Sequence, residues 1–265
     1  MAKFIINQVS KKPVLNNPIL IEGLPGIGNV GKIAADFIVE ETKAVKLYEI
    51  TSYSFPHSVF VNEDNLAELP SVEIFYKKFD GKDKRDIIII SGDVQPVDEE
   101  SSYEFSDRML DIAQELKSNE IITLGGIGLG DVPKNPKVYC TGNFKSIIKK
   151  YKDDKVIDKL YGVVGPIIGV SGLMLGLATR RKVNAVSLLA ETYGHPMYLG
   201  ISGARQILNV LNSKLDLHMD LKKLDEEIKD MEKEILKKTE ELNQVAKVLG
   251  KKARGKGIQE MNYIG

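Results

Sequence analysis

Short runs of branched apolar residues alternate with helix-period stripes over residues 1–214, and no other property of the chain restricts its fold as much. "PILIEG" (18–23), "KLYEIT" (46–51), "IIII" (87–90), "IITL" (121–124) and "VNAVSLL" (183–189) read as strands, several of them apolar on both faces as in a covered parallel sheet. Between them, Val30, Ile33, Ala34, Phe37 and Ile38 form one helical stripe. Phe105, Met109, Ile112, Ala113 and Leu116 form a second, and Ala204, Ile207, Leu208 and Leu211 a third. Strand and helix in alternation predict an α/β fold: a three-layer sandwich with a mostly parallel sheet. Residues 48–86 break the rhythm with β-rich pieces that turn at Asn62–Asp64 and Asp80–Gly81, which predicts an antiparallel extension of the sheet. "FYKKF" (75–79) reads there as an edge strand with outward lysines.

After the core domain (1–214) the texture changes. Leu217, Leu221, Leu224, Ile228, Met231, Ile235, Leu242, Val245 and Leu249 recur at steps of four and three, with Lys238 interrupting the seam. That pattern predicts a helical arm over 215–250 with a coiled-coil heptad. A continuous helix from Leu217 to Leu249 would reach roughly 50 Å. Gly250 and "KKARGKG" then lead into a C-terminal tail, 251–265. An apolar stripe of this kind needs a covering face, each buried leucine or isoleucine contributing roughly 1.5 to 3 kcal/mol. It therefore predicts a helical hairpin or contact between copies, most simply a closed homo-oligomeric ring for which a pentamer is one candidate.

Charge narrows the partners. Lys+Arg and Asp+Glu both number 37, so nothing draws the chain toward nucleic acid or an anionic membrane. Leu160–Thr179 is uncharged and long enough to span a bilayer. Pro166 and five glycines within it favour instead a buried strand, a loop and a helix starting near Ser171. One cysteine, Cys140, forms no internal disulfide, and residues 1–14 show no secretory leader, so a cytoplasmic location is expected. His57, His195 and His218 are scattered without a second ligand at metal spacing, so no metal is expected.

"GLPGIGNVG" (23–31) follows a strand and precedes a helix, the context of a dinucleotide fingerprint, with Glu49 as the one acidic residue at a suitable distance for a ribose. Lys32 is followed by Ile33, which excludes a Walker-type phosphate loop. The favoured reading is that Gly23, Gly26, Gly28 and Gly31 make a structural loop that lets the turn be tight and the helix lie close to the sheet. No cofactor is then required. The alternative is a nucleotide- or nucleoside-binding protein or hydrolase using those glycines. "GGIGLGD" (125–131) is a candidate nest of backbone N–H groups. Glu191 and His195, after "VNAVSLL", are a candidate base and its orienter. A polar cluster like this is more often structural, and no catalytic residue is assigned.

"PILIEGLPGIGNVGKIAADFIVEE", "GGIGLGD", "GPIIGVSGLMLGLATRRKVNAVSLLAETYGHP" and the late heptad helix together resemble the proteasome assembly chaperone 2 family in its archaeal branch. The resemblance implies a phosphorylase/hydrolase-like α/β sandwich, no enzymatic activity, self-association, and binding to the α subunits of the 20S proteasome. In members that bind it, a tail ending hydrophobic-Tyr-any residue docks between α subunits, which transfers here to Tyr263, Ile264 and Gly265. This tail departs from the pattern, because Tyr263 is third from the end. One extra residue moves the terminal carboxylate by about 3.5 Å, more than a charge-assisted hydrogen bond of about 2.7 to 2.9 Å tolerates. The expected function is a non-enzymatic assembly chaperone or scaffold that grips a protein partner through its arm and tail.

Overall fold

β-branched side chains stiff at χ1 suit pleated, doubly covered surfaces, and each isoleucine-rich run is a strand. The elements follow as β1 (Ile5–Gln8), β2 (Ile19–Glu22), α1 (Val30–Thr42), β3 (Val45–Thr51), β4 (Phe60–Val61), β5 (Ala67–Glu68), β6 (Val72–Lys77) and β7 (Ile87–Gly92). After these come α2 (Glu99–Glu115), β8 (Glu120–Leu129), β9 (Val138–Gly142), α3 (Lys145–Tyr151), β10 (Val156–Ile157), α4 (Val170–Arg180), β11 (Asn184–Tyr193) and α5 (Ile201–Leu215). This computed structural model describes residues 4–81, 84–160, 162, 165–226 and 228. The chain divides into two compact units, Met1–Leu221 and Lys222–Gly265. The heptad positions from Met231 onward, and the tail with Tyr263, Ile264 and Gly265, lie outside the described residues.

The main sheet has nine strands in the order β1-β3-β6-β7-β2-β8-β11-β9-β10. Its centre, β7-β2-β8-β11, is parallel. The flanks are antiparallel, β1, β3 and β6 on one side and β9 against β11 on the other. The parallel strands thus form the covered core of a mixed sheet, and the antiparallel extension expected from residues 48–86 is present as β3 and β6, while β4 and β5 form a separate two-stranded hairpin. α2 and α4 pack together over Leu20, Ile88, Ile90 and Ile121 on one face. α1 and α5 pack against each other on the opposite face, where the alternate residues Ile19, Ile21, Ile87 and Ile89 are buried. The Asp98 side chain caps α2 by accepting the Ser101 N–H at 2.9 Å, and Glu99 and Glu100 follow in its first turn.

Three local expectations change. β6 lies between β3 and β7, so "FYKKF" begins in an interior strand; β1 holds the edge that a reading without strand order assigned to β6. Residues 165–168 form no strand, because Pro166 removes a donor a ladder would need; α4 then starts at Val170, as the sequence suggested. Leu217 is buried in a non-helical segment instead of opening a heptad helix. Asp216 and His218 are left-handed (φ 53° and 54°), and the Asn212 side chain clamps both the N–H and the carbonyl of Met219. Among the described residues, no helix is long and apolar enough to cross a membrane.

Candidate functional site

The glycine turn joins β2 to α1, and its four glycines divide by role. A Cβ on Gly23 would collide with the Gly31 carbonyl, and one on Gly31 would sit 2.5 Å from the Leu124 carbonyl oxygen. These two bring the first turn of α1 against β2 and β8. Gly28 is left-handed (φ 61°), and a Cβ there would meet Thr192 Oγ1 at 2.7 Å. Gly26 differs, since a Cβ there would have nothing within 4 Å. Gly23, Gly28 and Gly31 thus sit at close approaches, and Gly26 faces open space.

The second glycine run is built into the sheet. Residues 120–129 are one continuous strand, and Gly125, Gly126 and Gly128 pair in register with Leu189, Ala190 and Thr192. The Leu129 carbonyl accepts the Gly194 N–H, so alternate residues of β8 face β11 and the Gly126 and Gly128 N–H groups point to the other side, past the end of β2. What this run supplies is room: a Cβ on Gly126 would collide with the Ile27 carbonyl of the first turn. The two glycine motifs are a single contact seen from both sides.

Above that contact lies a cavity of about 740 Å³, walled by Leu24 and Gly26 after β2, Gln95 after β7, residues 124–128 of β8, and the 165–169 segment with Ser171 of α4. Gln95 straps its walls together. Its Nε2 donates to the Pro25 carbonyl at 2.5 Å, and its Oε1 accepts the Val170 N–H at 2.9 Å. Below Ser171 is Glu22, fully buried at the end of β2. Its carboxyl accepts the Ser171 hydroxyl at 2.8 Å and the Leu24 N–H at 3.2 Å. Burial pushes this carboxyl up to about 7, against the smaller opposing pull of those two donors. Among the described residues, no cation stands among its hydrogen-bond partners. Thr123 and Ser187 lie beside Glu22 in register on β8 and β11. Both are fully buried, and their hydroxyls find no partner within the protein.

The proposed acid–base pair does not assemble. Glu191 accepts from the Tyr139 hydroxyl at 3.1 Å and the Lys137 N–H at 3.0 Å, while His195 Nδ1 accepts the Met197 N–H at 3.2 Å and its ring stacks on Tyr193. Glu191 is held from β9 and the residue before that strand, and His195 within its own turn. Burial, then the Glu191 carboxylate, raises the Tyr139 hydroxyl. The Cys140 thiol is pushed up to about 11, chiefly by burial, which removes the thiolate a nucleophile needs. Glu49 pairs with Asn7 and Glu73 on β3, away from the glycine turn, so the ribose-binding acid of the fingerprint is missing from the site. Among the described residues no group of three or more His, Cys, Asp or Glu is placed to hold a metal ion.

Glu22, Gln95 and Ser171 were not singled out from the sequence. The signal for Glu22 was present as the one acid ending the apolar run "ILIE", whereas Gln95 and Ser171 come from segments 70 or more residues away.

Comparison with known proteins adds ancestry to geometry. The model of the PAC2 family matches residues 20–239. Protein MJ1210 of Methanocaldococcus jannaschii is 30% identical over 267 residues, spanning 100% of this chain and 99% of that one. Among solved structures, Pyrococcus furiosus PbaB, described as an archaeal proteasome activator, superposes with a TM-score of 0.82 at 36% identity, over 91% of this chain and 100% of that chain. Pyrococcus furiosus PbaA, described as an archaeal homolog of proteasome-assembly chaperone, shares the fold with a TM-score of 0.71 at 24% identity, over 96% and 99% of the two chains.

Proposed function

Because this chain belongs to the PAC2 family, we propose that it is a non-enzymatic assembly factor that associates with itself and grips a protein partner, the proteasome α subunits being the first to test. The similarity to PbaB, an archaeal proteasome activator, carries this reading, since it extends over the whole of that chain at 36% identity. The geometry agrees with it. Glu191 and His195 are tied to separate partners, and burial pushes the Cys140 thiol up to about 11, which supports a non-enzymatic reading. Recognition is then assigned to the arm over 215–250 and the tail over 251–265, where Tyr263 offers an aromatic anchor beside Ile264 and Gly265.

Co-sedimentation of the full chain with archaeal 20S proteasome tests this directly. The full chain is expected to travel with the proteasome, and a chain lacking residues 256–265 to stay behind while keeping its circular dichroism spectrum. Retention of the truncated chain would move recognition to the body or the arm. Failure of the full chain to bind would remove the proteasome as partner. Analytical ultracentrifugation at micromolar concentration is expected to give an oligomer, and a monomer there contradicts self-association.

A further inference from the structure

We propose that the cavity over the carboxyl ends of β2, β7 and β8 is a binding site for an uncharged, hydrogen-bonding ring compound of nucleobase or nucleoside size, held without phosphate contacts. The inference is independent of the assembly role, since it concerns the body of the chain and not its arm or tail.

Position is the first support. β2 leads into α1 on one face of the sheet, and the adjacent parallel strand β7 leads into α2 on the other. Neighbouring strands whose connections part in this way open a crevice at their carboxyl ends, where α/β sheets take ligands. The volume, about 740 Å³, falls in the range of small-molecule sites.

The walls supply the second. Gly26 and Gly165 both line the space, and a Cβ on either would meet nothing within 4 Å, so close packing of the fold does not explain either glycine. Gln95 uses both ends of its amide to hold the Pro25 loop and the start of α4 apart at a set distance. The cavity is thereby pre-formed.

Chemistry selects the occupant. The polar side chains on the wall are Ser171, backed by the buried Glu22 carboxyl, and Gln95; Thr123 and Ser187 lie deeper in the sheet, outside the lining. Gly125, the next residue on that face after Thr123, lines the cavity and carries no side chain. Apolar walls from Leu24, Ile127, Ile167 and Leu189 suit the faces of a ring. An anion is disfavoured on three counts. The lining includes no Lys, Arg or His, the first N–H of α4 is already taken by Gln95, and a carboxyl sits beneath Ser171. The site thus inverts a phosphate loop: the glycines face a neutral guest.

The test is titration calorimetry and thermal shift on the full chain with adenosine, guanosine, inosine, cytidine and uridine, each beside its 5′-monophosphate. At least one nucleoside is expected to bind and raise Tm, with its monophosphate at least about tenfold weaker. Gly26→Leu and Gly165→Leu, which fill the space, are expected to abolish that binding while circular dichroism stays unchanged. Ser171→Ala, which removes one hydroxyl, is expected to weaken it about tenfold. The proposal is overturned if no nucleoside shifts Tm at millimolar concentration, if a monophosphate binds as tightly as its nucleoside, or if Ser171→Ala leaves affinity unchanged.

Discussion

Glu22 and Glu120 are buried carboxyls on the neighbouring parallel strands β2 and β8, one at the carboxyl end and one at the amino end. Their surroundings are opposite. Glu120 receives Arg85 Nη1 at 2.6 Å, Lys150 Nζ at 2.6 Å and the Tyr151 hydroxyl at 2.6 Å. Burial opposes its ionisation, but these donors together prevail and hold it below the usual carboxylate range. Glu22 has two neutral donors only and is raised to about 7. The amino end of the sheet is closed by a fully satisfied ionic cluster, and the carboxyl end keeps a carboxyl whose charge is not compensated. A polar group left so poorly paired in a core is a common mark of a functional end.

The strongest challenge to this contrast is Glu120→Ala. It strips a carboxylate from Arg85, Lys150 and Tyr151 together, and should cost about 3 kcal/mol or more in denaturant unfolding at pH 7. A loss below about 1 kcal/mol would mean that the cluster is only a solvated ion pair.

Next is the pH profile, where the two carboxyls have opposite signs. Glu120 has a folded pKa below its unfolded one, so its contribution is present above the unfolded value and is lost as pH falls through the folded one. Glu22 has a folded pKa above its unfolded one. Its contribution is complete below pH 4.5 and is lost as pH rises through about 7. The change from 4.5 to about 7 corresponds to about 3 kcal/mol of stability lost across that window. Glu22→Gln should therefore flatten the fall in stability between pH 4.5 and 8, and an unchanged slope would show that Glu22 is paired after all.

Smaller effects sharpen the comparison. Ser171→Ala removes the hydroxyl that favours the ionised form of Glu22, and should deepen the loss at pH 8 by about 1 kcal/mol while leaving pH 4 nearly unaffected. Lys150→Met should cost only about 0.5 kcal/mol at pH 7, because the Lys150 side chain is 48% exposed and Arg85 and Tyr151 remain on Glu120.

Much of the body was legible from local pattern. The runs 18–23, 46–51, 87–90, 121–124 and 183–189 each fall on a strand, and the three apolar stripes lie on α1, α2 and α5. Gly23 and Gly31 lie where a Cβ would strike a backbone carbonyl, the kind of close approach that glycines at a strand-to-helix turn permit. The candidate nest at 125–131 falls largely on β8, since a glycine run carries the same letters in a cradle and in a strand. Glu191 and His195 looked like partners for want of Tyr139, Lys137 and Met197, which claim them in space. The Gln95 strap was invisible, as both of its bonds span 70 residues or more.

By itself the sequence determined the α/β class, the covered strands and the glycines at the β2–α1 turn, because side-chain period and backbone freedom act over a few residues. Tertiary structure alone decided that β6 is interior, that the two glycine runs meet, and that among the described residues Glu22 meets only neutral donors while Glu120 meets Arg85 and Lys150. Strand order and the partners of a buried charge depend on segments far apart in the chain, and the free energy of a carboxyl is set by what surrounds it, which no neighbouring letter records.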